Sequence, residues 1–85
     1  NKYMKSNVKA VFDYLDKIKK DPNSYDLLRV YIENKNYGMA LQLVTKIDLD
    51  SLPEVEKRLL YIIKNYALTA YKNTIIELEQ ILLRN

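Results

Sequence analysis

Hydrophobic positions recur along this chain at the three- and four-residue steps of amphipathic helices. A first stripe, Met4, Val8, Val11, Phe12, Leu15 and Ile18, predicts a helix from about Lys2 to Lys20. Asp21-Pro22-Asn23-Ser24 ends it, because the residue before a proline avoids helical backbone. Ser24 or Asn23 can cap the second helix. Leu27, Leu28, Tyr31 and Ile32 give an apolar face to that helix, from Tyr25 to Asn34, and Tyr37, Ala40, Leu41, Val44 and Ile47 give one to a helix from Tyr37 to about Asp48. Between the two stand Asn34 and Asn36, a residue type that tolerates left-handed backbone and caps helix ends. So short a connection makes the pair pack antiparallel. This αα-hairpin is the centre of the predicted fold, with the small Ala40 letting the two backbones approach.

The remaining elements stack on that pair. Asp48-Leu49-Asp50-Ser51-Leu52 reads as a polar loop with a leucine at each side. Ser51, Pro53 and Glu54 have the spacing of a capping box opening the next helix. That helix is expected to run to about Ala67 or Ala70 and to bury Val55, Leu59, Ile62, Ile63 and Tyr66, with Leu60 and Tyr61 flanking. Apolar over more than a third of its circumference, it is expected to lie between neighbours. A break at Tyr71-Lys72-Asn73 then precedes a fifth helix carrying Ile75, Leu78, Ile81 and Leu82, with Glu77 and Glu79 facing water. The prediction is an all-α fold: antiparallel hairpins of about five helices, in a repeat stack or a small bundle.

Composition narrows this picture. At 85 residues the chain is one domain, 1–85, and its 48% hydrophobic content suffices for a core. It begins at Asn rather than Met, so it is read as a part of a longer protein as readily as a whole one. With no Cys and no His it offers no disulfide framework, no thiolate or imidazole metal ligand and no imidazole base. No apolar run approaches the roughly 20 residues of a spanning helix, and no signal peptide is visible. A cytoplasmic protein without cofactor, metal or membrane span is therefore expected. The net charge of +3 is spread rather than striped, and its densest clump, Lys17, Lys19 and Lys20, suits a solvated helix end. Nucleic-acid binding is not expected from it.

Compared with itself at an offset of 34 residues, the chain sets Leu28 on Ile62, Tyr37 on Tyr71, Leu41 on Ile75, Val44 on Leu78 and Ile47 on Ile81. Asn36-Tyr37-Gly38-Met39-Ala40 supplies the turn, aromatic and small residue that open a second repeat helix, and Tyr31 precedes Ala40 at the matching distance. Ala10, Tyr14 and Pro22 repeat the small, aromatic and proline spacing. The pattern resembles a degenerate tetratricopeptide repeat, as in the C-terminal domains of peptide-sensing bacterial regulators. It departs from that family at Ser24, Leu28 and Thr74. The resemblance implies a concave surface lined by first helices that binds a protein or peptide. Contacts would come from Tyr25, Asp26, Arg29, Ile32 and Glu33, and in the next unit from Ile63 and Tyr66. Arg29 would grip a carboxylate or carbonyl, or else pair with Glu33 four residues on.

No constellation for catalysis is present. The one Gly excludes a phosphate loop, Asp48, Asp50 and Ser51 lack the rest of a calcium loop, and Asp13 with Asp16 read as solvated carboxylates. Of the eight tyrosines, most of Tyr14, Tyr31, Tyr37, Tyr61 and Tyr66 are expected in the core, and Tyr3, Tyr25 and Tyr71 are the better candidates for a binding surface. The expected function is a non-catalytic protein- or peptide-binding module of a regulatory protein, with self-association through helix 4 or the tyrosine faces open. The alternative is a free-standing bundle with an inhibitory or bacteriocin-immunity role.

Overall fold

The computed structural model describes residues 6–18 and 25–84, and these form four α-helices and no strand. They are α1 (Ser6–Ile18), α2 (Asp26–Glu33), α3 (Tyr37–Thr45) and α4 (Glu54–Arg84), with a 3-10 turn at Leu49–Ser51 before α4. Tyr3, Met4, Lys19, Lys20 and the expected turn at Asp21–Ser24 lie outside the described residues.

The hairpin forms where the sequence places it, by a mechanism that differs in one residue. Lys35, not an asparagine, takes the left-handed conformation, with φ 61°. Its N–H donates to the Ile32 carbonyl at 3.1 Å, and Asn36 N–H donates to the Tyr31 carbonyl at 2.8 Å. That pair of bonds is a Schellman closure of α2. Asn36 then caps α3, its side-chain oxygen accepting from Met39 N–H at 3.4 Å. One residue thus ends one helix and starts the next, and the two run back to back.

Helix α4 departs most from expectation. The predicted break at Tyr71-Lys72-Asn73 is absent, and α4 is a single helix of 31 residues. The 34-residue offset itself explains why. Asn34, Lys35 and Asn36, which make the hairpin turn, correspond to Leu68, Thr69 and Ala70, where no asparagine or glycine is present to favour left-handed backbone. The hydroxyl of Thr74 donates to the Ala70 carbonyl at 2.9 Å and so stays within the helix. The chain therefore has four helices among its described residues rather than five.

The start of α4 is also built differently. The Ser51 hydroxyl turns back to donate to the Asp48 carbonyl at 2.8 Å, and the Glu54 carboxylate is held forward by Arg58 Nε at 2.8 Å and Lys57 Nζ at 3.4 Å. No capping box forms. The first backbone bond instead runs from Lys57 N–H to the Pro53 carbonyl at 2.9 Å.

Helix α3 packs on both α2 and α4, and α1 packs on α4. An open repeat stack brings a helix only to its neighbours; the contact between the first and last helices closes a small bundle. Its core is Val8, Phe12 and Leu15 from α1, Tyr25, Leu28 and Ile32 around α2, Ala40 and Val44 from α3, Leu49, and Leu60, Ile63 and Ala67 from α4. The buried face of α4 is thus turned from the predicted one: Val55 and Ile62 are exposed, while Leu60, expected at the flank, is fully enclosed. Leu27 is exposed as well.

A compact chain of this length has a radius of gyration of about 12 Å, against 14.1 Å here. The excess comes from α4, which at about 1.5 Å per residue spans roughly 46 Å of the 50 Å long axis.

Candidate interaction surface

The seven residues assigned to partner binding do not share one surface. Ile32 and Ile63 are 2% and 0% exposed and belong to the core. Tyr25 is buried too, and its hydroxyl donates to the Glu56 carboxylate, tying the start of α2 to the first turns of α4. Tyr66 is half-buried, with its ring 6.3 Å from that of Tyr37 in an edge-to-face pair. Asp26 and Glu33 are exposed.

Arg29 is engaged within the fold. Its guanidinium donates from Nη2 to Asp13 and from Nη1 to Asp16, each at 3.1 Å, and from Nε to Glu33 at 3.5 Å. It also lies 5.7 Å from the centre of the Phe12 ring. Asp13 and Asp16, read as merely solvated, are the acceptors that fasten α2 to α1. Hydrogen bonds from Lys9 and then Arg29 hold the Asp13 carboxyl below its ordinary range. The clue in the sequence was their spacing of three, which sets both carboxylates on one face of α1.

Burial, and then the hydrogen bond to the Glu56 carboxylate, push the Tyr25 phenol well above its ordinary value of 10.0. Burial raises Tyr37 also, with Tyr66 beside it. The fold therefore favours the neutral phenols. Their stabilisation is complete below about pH 10 and is lost as pH rises from there through the raised folded values. Thermal midpoints measured between pH 8 and pH 12 are expected to fall above about pH 10, with a shallower fall for Tyr25→Phe. Equal slopes for the two chains would show that Tyr25 has no part in the fall.

The surface left uncovered is the far half of α4. Tyr71 lies against the hairpin: a methyl group at Gly38 would be 3.5 Å from its ring. From Tyr71 to Arg84 every residue is exposed. Yet the buried row of Leu60, Ile63 and Ala67 continues at helical steps through Tyr71, Thr74 and Leu78. Ile75 is 40%, Leu78 53% and Leu82 64% exposed. Beside the point of departure Tyr37, Tyr66, Ala70, Thr74 and Glu77 line a groove of about 520 Å3. Three tyrosines differ from expectation, since Tyr14 and Tyr61 are exposed and Tyr25 is buried; Tyr71 is exposed as expected.

This surface offers apolar area and shape. Among the described residues no cluster of three or more carboxylates could hold a metal ion, and no helix is long and apolar enough to cross a membrane. No family model matches the chain, nor does any curated protein or solved structure.

Proposed function

We infer that this chain acts as a non-catalytic helical module that binds another polypeptide through the exposed second half of α4. One observation carries the reading: the core stripe of α4 runs on, uncovered, for roughly 20 Å beyond the bundle. An isolated helix of this length is marginal in water and takes most of its stability from packing of an apolar face. Contiguous exposed apolar area of this kind marks interaction sites. The binding face is thus moved from the first-helix residues centred on Arg29 to Tyr71, Ile75, Leu78 and Leu82. A regulatory, tetratricopeptide-like setting in the cytoplasm is carried over only as what the sequence resemblance implies.

A photo-cross-linking residue at position 78 tests the reading, with one at Asn65, also exposed on α4, as control. Adducts to a polypeptide from position 78 alone, retained in Arg29→Ala, are expected. Their absence from position 78, or their loss in Arg29→Ala, would count against this surface.

The direct packing of α1 on α4 favours a second reading, a free-standing inhibitory or immunity-type bundle. In that case the partner would be a single toxin-like protein, and the adduct would contain it alone.

A further inference from the structure

We propose that the occupant of this face is a second copy of the chain, joined antiparallel through the two distal halves of α4. The proposal rests on the interaction reading above and names its partner. Leu68, Tyr71, Ile75, Leu78 and Leu82 succeed one another at steps of three, four, three and four, the alternation of a two-stranded coiled-coil seam. All five are exposed. In an antiparallel pair centred between Ile75 and Leu78, Ile75 meets Leu78 of the second copy and Tyr71 meets its Leu82.

Charge selects this arrangement. Lys72 and Glu79 each lie immediately after a seam residue and flank the seam on the same side. Neither has an opposite charge three or four positions away on its own helix, and neither enters an ion pair among the described residues. Antiparallel pairing sets Lys72 of each copy beside Glu79 of the other, twice over by the two-fold symmetry. A parallel pair would set Lys72 beside Ala67 and Glu79 beside Thr74. The two bundle bodies fall at opposite ends of the paired helices, because only the segment beyond the bundle overlaps. The charges of that segment, Lys72, Arg84, Glu77 and Glu79, cancel, which gives an anionic membrane surface no hold on it.

The test is light scattering coupled to gel filtration of the full chain over a concentration series, with thermal unfolding alongside. The expected mass is twice 10.1 kDa at the upper end. Leu78→Glu should return the 10.1 kDa monomer with its cooperative transition retained, since Leu78 lies outside the core. Lys72→Glu alone, or Glu79→Lys alone, should weaken the dimer by about tenfold. Lys72→Glu combined with Glu79→Lys should restore it. A monomer at every concentration overturns the proposal, as does a dimer indifferent to Leu78→Glu. A double variant no tighter than the singles overturns the antiparallel register. If the chain stays monomeric while position 78 cross-links to a different protein, or while it sediments with phosphatidylglycerol vesicles, the second copy is excluded. The different-protein outcome leaves the interaction module standing; the vesicle outcome removes that too.

Discussion

Ile63→Ala is expected to lower the free energy of unfolding by about 2–5 kcal/mol, the range for truncating a fully buried aliphatic side chain. At roughly 0.05–0.15 kcal/mol per residue, a domain of this length has about 4–13 kcal/mol in total, so the variant sits near the edge of folding. Ile63 lies in the middle of the α4 row that both α1 and α3 cover. The cavity is enclosed from both sides and cannot collapse cheaply. Urea unfolding reads the effect directly. An unchanged midpoint would put Ile63 back on a binding surface, where the repeat resemblance had placed it.

Asn73→Pro is expected to have the opposite character, a large local effect with little effect on the body. Proline in a helix interior removes one hydrogen bond and clashes with the preceding turn, at a cost of about 3 kcal/mol. No residue from Tyr71 onward is buried, so the loss falls on the distal half alone. In dilute solution the far-ultraviolet helical signal should drop by roughly a fifth, the share of helix beyond the substitution, while the bundle's midpoint stays. An undiminished helical signal would mean that the chain already turns at position 73. A collapse of the midpoint would mean that the distal half packs on the body after all.

These two positions show what sequence patterning could and could not deliver. The all-α class, the hairpin at Asn34–Asn36 and the α1 stripe of Val8, Phe12 and Leu15 were readable, because local periodicity and capping chemistry decide them. The end of the fourth helix was not. The sequence pattern placed a break at Tyr71–Asn73 and the 34-residue offset places the hairpin turn at 68–70, but that turn needs a residue that accepts left-handed backbone. Leu68-Thr69-Ala70 has no glycine or asparagine to take it, so helix propagation wins. The α4 face was missed for a related reason. Its apolar residues occupy much of the circumference, and periodicity alone cannot say which of Leu60 or Ile62 turns inward; only the placement of α1 and α3 decides. Side-chain links across elements were likewise invisible. Tyr25 reaching Glu56, and Arg29 reaching Asp13 and Asp16, join residues whose meeting depends on tertiary geometry. The candidate surface obeyed the same divide: the resemblance pointed at first-helix positions, while the uncovered surface is the one the missing turn leaves behind.

That α4 crosses from core to solvent without a joint has a thermodynamic consequence. A ligand that seats on the distal turns binds only the helical form, so its binding free energy is added to the stability of that distal helix. At a hundred times its dissociation constant such a ligand contributes about 2.7 kcal/mol, comparable with a core leucine. The helical order of the distal half is therefore a function of how much partner surrounds it, and a dilute preparation and a partner-rich one will differ in helix content.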